Sequence, residues 1–379
     1  MLHSSTLIAF LAASSAPTPL YRLYQQQWGF SSTLLTVVFA AYALALLLAL
    51  LVTGRLSDHV GRRPVISLSL ALQLLAMACF VYADGAYWLV AARVVQGFAT
   101  GMATAAVGAA LLDLDRERGT LINSIAPMAG MAAGALGSTA LMVFAPWPLR
   151  TVYGVFLGIF LVLLALLWLT PETTAPRPGA WASLKPRITV PLQARKALLS
   201  ISPVNVAVWM LGGFYLSLMP SLIVTVTKLN TPWLGGGVVA ALTLTGAIAI
   251  LIARKLSTFA TLLSGEVALG LGLGVILWGV NQGHAALLLC GSVIAGFGFG
   301  ASFLGAVRSV LPLAQPHERA GLMGVFYIES YLANSVPTIA VGYLAQRTGL
   351  LVAANVYGVA ITVLTIFAVV LLCLRTRKH

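Results

Sequence analysis

Gly54-Arg55-Leu56-Ser57-Asp58-His59-Val60-Gly61-Arg62-Arg63 separates two long apolar runs, Ser31–Val52 and Val65–Ala83. Each run is long enough to cross a hydrocarbon core of ~30 Å, which takes about 20 helical residues. The polar stretch between them is too short for anything but a tight turn on one membrane face. Arg55, Arg62 and Arg63 surround a single acid, Asp58. Gly54 and Gly61 supply backbone freedom where the chain reverses. Basic content alone is what any short cytoplasmic connection carries. The Gly–Asp–Gly spacing inside it is more specific.

Outward from this turn, the composition agrees with a chain of spans. Of 379 residues, 60% are hydrophobic and 8% charged, against roughly 25% charged in soluble domains. A net charge of +13 would suit nucleic acid, but the placement of the charges removes that reading. Most of the 22 Lys and Arg fall in connections assigned to the cytoplasm or in the tail Arg375–Lys378. Arg22, Arg150, Lys228 and Arg347 fall outside, and Arg93 lies within a span. This positive-inside bias predicts an even number of spans in the cell (inner) membrane, with both termini cytoplasmic. Cys79, Cys290 and Cys373 read as small core hydrophobes, with no disulfide framework, metal site or cofactor expected.

The first span runs from about Leu7 to Tyr24, bent near Pro17 and Pro19. Ala13-Ser14-Ser15-Ala16 imitates a signal-peptide cleavage site, but a basic n-region is missing and Pro17 disfavours cleavage. So few residues precede this span that a start further upstream stays open. Further spans are predicted at 31–53, 64–83, 86–112, 119–145 and 150–170, completing an N-terminal six-helix unit over 1–170. A basic, proline-containing linker covers 171–200. Spans at 201–226, 233–253, 258–280, 284–311, 320–345 and 350–374 make a second unit over 201–379. Trp28, Trp88, Trp147, Trp233 and Trp278 fall at outer boundaries. The units look like copies at an offset near 200: Arg55-Leu56-Ser57 recurs as Lys255-Leu256-Ser257, Gly97-Phe98 as Gly296-Phe297, and Glu117-Arg118-Gly119 as Glu318-Arg319-Ala320. Thr258 stands where the copy of Asp58 would be.

Residue for residue at Gly54, Leu56, Asp58, Gly61, Arg62 and Arg63, the turn resembles the loop between helices 2 and 3 of the major facilitator superfamily. Arg93-Val94-Val95-Gln96-Gly97 resembles that superfamily's fourth-helix motif R-x-x-Q-G. Gly130-Met-Ala-Ala-Gly134-Ala-Leu-Gly137 partly resembles the fifth-helix signature of its proton-coupled exporters, with Gly134-Ala135 where Gly-Pro belongs. Small residues packing two helices explain these glycines equally well. The resemblance covers nearly the whole chain and implies an all-α membrane protein, twelve helices in two pseudo-symmetric six-helix bundles. It further implies a secondary transporter of the drug/proton antiporter type, moving a small organic molecule through a central cavity by alternating access. Gly54, Asp58, Gly61, Arg62 and Arg63, with Asp113, would form a cytoplasmic latch near the start of the eleventh helix.

Several charged residues invite chemistry. Asp113, Asp115 and Glu117 are read as ending the fourth helix, where acids oppose the helix dipole and want Arg62 or Arg63 as partners. Arg93 shares a face with Gln96, Gly97, Thr100, Gly101 and Thr104; it either snorkels outward or faces a partner, since an arginine in hydrocarbon costs roughly 3 kcal/mol. Glu266 and Glu329 are the acids of the second unit that fall within spans, and both are candidates to exchange protons. Glu266 reads equally well as a protonated acid joining two helices. Glu329 is expected in an apolar setting near the midplane, nearly opposite the stripe Tyr327, Tyr331, Asn334 and Thr338. Enzymatic constellations and a Walker A motif are missing, so the chain is expected not to be an enzyme. The expected partners are a small-molecule substrate, protons and the lipid bilayer, with the protein a monomer. The alternatives are a proton-coupled importer of a sugar or organic anion, bound by Arg22 or Arg93, and a non-transporting membrane sensor. A membrane enzyme ranks last.

Overall fold

A computed structural model describes residues 1–376, so the tail charges Arg377 and Lys378 lie outside the described residues. The chain divides into two compact units, Met1–Phe30 with Val37–Arg187, and Ser31–Thr36 with the chain from Ile188 onward. Helices α1 (Leu2–Ser15), α2 (Pro17–Trp28), α3 (Ser32–Thr53), α4 (Ser57–Val60), α5 (Arg62–Val81), α6 (Ala86–Leu114), α7 (Arg116–Phe144) and α8 (Pro148–Leu167) come first. After the short linker helix α9 (Ala180–Ser183) follow α10 (Leu192–Ser217), α11 (Met219–Thr227), α12 (Pro232–Ala253), α13 (Thr258–Gln282), α14 (Ala285–Val310), α15 (Arg319–Thr348) and α16 (Leu350–Thr376).

Ten of these helices are long and apolar enough to cross a membrane. The other two crossings are α15, which carries more polar residues, and the first span, which is interrupted. Pro17 and Pro19 lack the N–H groups that would continue the helical ladder, so the first span divides into α1 and α2 at Ala16. The seventh span divides in the same way, into α10 and α11, with Pro220 in the first turn of α11.

The repeat seen in the sequence is a repeat of packing. In the first unit α6 lies backbone-to-backbone on α3: a Cβ on Gly97 would overlap the Tyr42 carbonyl, and one on Gly101 the Leu46 carbonyl. In the second unit α14 lies on α12 through Gly296 against the Leu242 carbonyl and Gly300 against that of Gly246. Only glycine permits such close approach.

Three expectations need correction. The seventh span starts at Leu192, within the stretch read as linker. Asp115 and Glu117 do not end the fourth helix, because α6 stops at Leu114 and Asp115 is the N-cap of α7. Its Oδ1 accepts the Glu117 and Arg118 amides at 3.0 and 2.9 Å, an acid at a helix start, where it is favourable. Cys290 and Cys373 lie on exposed faces of their helices, and Cys79 is half-buried, so these thiols do not sit in a core.

Candidate functional site

Proline chemistry builds the first cluster. With Pro17 lacking an N–H, the Ala13 carbonyl has no partner four residues on. Gln96 Nε2 reaches from α6 and donates to it at 2.9 Å. Arg93 Nη1 donates to the neighbouring Ser14 carbonyl at 2.9 Å and to Gln96 Oε1 at 2.7 Å. The guanidinium carbon stands 4.4 Å from the centre of the Tyr42 ring, a cation–π contact. Arg93 is 1% exposed, so it does not snorkel. It has no acidic partner among the described residues, and carbonyls, an amide and an aromatic face stand in for a counter-ion. The buried Tyr21 hydroxyl lies beside the Arg93 guanidinium. The fifth-helix glycines Gly130 and Gly134 press on the α1 backbone at Ile8 and Ala12, which fits the packing reading.

The second cluster is the turn itself. Arg62 is buried and donates through Nε to Asp113 Oδ2 at 2.9 Å and through Nη1 to Ser57 Oγ at 2.8 Å. Its Nη1 also pairs with Asp58. Arg63 turns the other way, donating to the Trp168 carbonyl at 3.1 Å and stacking over that indole. The sequence reading missed the residue that ties the cluster together, Glu172. Its carboxylate accepts the backbone amides of Arg62 (2.8 Å) and Arg63 (2.9 Å) at the start of α5, and also those of Thr173 and Thr174. Burial pushes this carboxyl up, but the four amides outweigh it and hold it below the usual range. Gly61 has φ +99°, and a Cβ there would strike Glu172. The Thr173 and Thr174 hydroxyls donate to Asp113 at 3.1 and 3.3 Å. Further along, the Arg177 amide donates to the His59 carbonyl at 2.8 Å. The signal available was that Glu172 is the lone acid of the 171–200 stretch.

In the second unit, where Thr258 replaces the acid, the corresponding turn is held differently. Arg308 of α14 donates to the carbonyls of Ala253, Arg254 and Leu256, a cation at a helix C-terminus. Glu266 is 0% exposed. Its carboxyl lies against the Ser302 side chain of α14. That contact spans α13 and α14, as expected of an acid joining two helices. Glu329 is half-buried and is not in an apolar setting: Asn205 of α10 donates to it at 2.8 Å and also to Ser330 at 3.0 Å. The stripe on α15 meets the same helix. Tyr331 packs on Trp209, ring centres 4.8 Å apart, while Asn334 and Thr338 close on Gly213. Tyr327 lies 6.3 Å from Tyr331.

The model of the Major Facilitator Superfamily matches residues 2–337. The chain belongs to this superfamily. Among superfamily relatives, it is 34% identical to the uncharacterised transporter YebQ of Escherichia coli K12 over 166 residues, 42% of this chain and 35% of that protein. It is 30% identical to the multidrug resistance protein MdtL of Escherichia coli over 162 residues, 41% of this chain and 40% of that one. These matches thus span well under half of either relative. Among solved superfamily folds, a mutant of the nucleoside transporter NupG superposes with a TM-score of 0.79 at 12% identity, covering 98% of both chains. The xylose transporter XylE of E. coli gives 0.74 at 14% identity, covering 97% of this chain and 95% of that one. Such low identities establish the superfamily fold and nothing about substrate.

Proposed function

We propose that this multi-pass superfamily transporter exports small organic molecules in exchange for protons, by alternating access in the inner membrane, as a monomer with both termini in the cytoplasm. The observation that carries the reading is Arg93. A charge held inside the membrane without a counter-ion is costly and marks a working site by default. It is seated here at the break in the first span, with Gln96 on the neighbouring carbonyl. The stretch of similarity to a multidrug resistance protein supports export.

In this reading Asp58, Arg62 and Asp113, with Gly54, Gly61 and Arg63 shaping the turn, are the conformational latch. Arg93 and Gln96 make the first and fourth helices respond together. Glu329 is the proton-coupling group, because its half-buried carboxyl is accessible where that of Glu266 is sealed. The test uses everted membrane vesicles loaded through a respiration-driven pH gradient. Vesicles containing the protein should accumulate a substrate dye and release it when nigericin collapses the gradient. Uptake that is indifferent to nigericin, or that runs in the opposite direction, contradicts the proposal.

A further inference from the structure

Four aromatic side chains from three helices of the second unit form one connected run of ring contacts. Trp209 on α10 lies 6.3 Å from Phe303 on α14 and 4.8 Å from Tyr331 on α15, and Tyr331 lies 6.3 Å from Tyr327. All four are half-buried, while Phe326, which packs behind Phe303 and Tyr327, is covered completely. Phe303 and Tyr327 pack with one side on the core of the unit and are not wholly covered. Trp209 adds a second observation: its indole Nε1 is buried yet donates to nothing among the described residues. An indole N–H removed from water normally finds an acceptor.

Lipid is not what this face is built to meet. One turn before Trp209, on the same side of α10, Asn205 holds the half-exposed carboxylate Glu329. Ionisable groups at membrane depth face protein or a water-filled cavity. The surface is mostly ring face, with the Trp209 N–H and the two tyrosine hydroxyls as its polar groups, which suits a flat aromatic molecule better than a sugar that needs many convergent donors and acceptors. We propose that Trp209, Phe303, Tyr327 and Tyr331 form a binding surface for a planar aromatic substrate carrying a hydrogen-bond acceptor, which the Trp209 indole N–H receives. The inference rests on the reading of the chain as a transporter of small organic molecules, and it names their class. Rings would stack offset or edge-on against Trp209 and Tyr331, with the acceptor fixing orientation as single polar groups do in largely apolar sites.

The test uses purified full-length protein in detergent and acridone, a neutral planar fluorophore with one carbonyl, followed by anisotropy. Wild type should bind acridone saturably, and cyclohexanone, which has the carbonyl without the aromatic plane, should not compete. Trp209→Phe keeps an aromatic ring, smaller than the indole, and removes the N–H, so affinity should fall about fivefold. Trp209→Leu should lose about tenfold or more, with the unfolding temperature of Trp209→Phe serving to separate binding from folding. Absence of binding by wild type, or an unchanged affinity in both variants, overturns the proposal. Acridone that binds through Trp209 but is not moved by membrane vesicles supports this surface and counts against the export reading alone.

Discussion

The backbone amide of Arg62 donates to the Glu172 carboxylate at 2.8 Å, so the start of the linker is fastened to the start of α5. Because the Arg62 side chain also engages Asp58 and Asp113, one carboxylate outside the spans holds the backbone from which the whole charge cluster is built. Glu172→Gln, which puts an NH2 where an amide donor needs an acceptor, should raise hydrogen exchange over residues 171–178 at pH 7. Full protection in the variant contradicts this role.

The same clasp has a defined pH dependence. The amides lower the Glu172 carboxyl below its ordinary value, so the folded state binds a proton less readily than the unfolded one. Its contribution is complete above the unfolded value of about 4.3 and disappears as pH falls through the depressed folded value. Protection of the linker against proteolysis should be flat from pH 8 to 5 and should decline only in acid below about 4. A loss centred near pH 6 would contradict this assignment to Glu172.

Arg93→Lys retains the charge but cannot serve two acceptors and lie over Tyr42 at once. Transport should fall about tenfold or more, and the unfolding temperature should drop, each unsatisfied buried group costing about 1–3 kcal/mol. Near-normal transport in Arg93→Lys would show that a bare positive charge is sufficient.

Gly97→Ala and Gly296→Ala should each destabilise their own unit by about 1–3 kcal/mol, since the methyl group meets backbone that cannot yield. Gly137 has nothing within 4 Å of the Cβ position, so Gly137→Ala should be neutral or slightly stabilising. Thermal unfolding of the three purified variants provides the comparison, and equal behaviour would contradict the backbone contacts.

Reporter fusions after Arg177 and Arg254 should signal the cytoplasm, and fusions after Gln27 and Asn281 the exterior. An external signal from the Arg254 fusion breaks the assignment of twelve crossings.

The sequence carried the repeat well, because Gly97 and Gly296 leave their mark as residue types at a fixed offset. It carried the Arg62–Asp113 contact only as one of several pairings of Asp113, Asp115 or Glu117 with Arg62 or Arg63, because the dipole at the end of α6 calls for a cation without saying which. It carried Arg93 only as a choice between two orientations. The choice depends on Pro17, whose effect is a carbonyl left open on another helix. Glu329 looked isolated because no basic residue lies within a turn of it on its own helix, while its partner Asn205 is 124 positions away. Glu172 was hidden by its basic, proline-rich surroundings, which suggest a loose tether and say nothing of a carboxylate meeting four amides.

In the proposed function, proton exchange falls to Glu329. The direct measurement is substrate flux by purified protein in liposomes, with and without an imposed pH gradient, for wild type and Glu329→Gln. Wild type should accumulate substrate against its gradient only when the pH gradient is present, while Glu329→Gln, fixed in a neutral form, should exchange substrate but lose accumulation. Accumulation that ignores the pH gradient in wild type, or that persists undiminished in Glu329→Gln, contradicts the account.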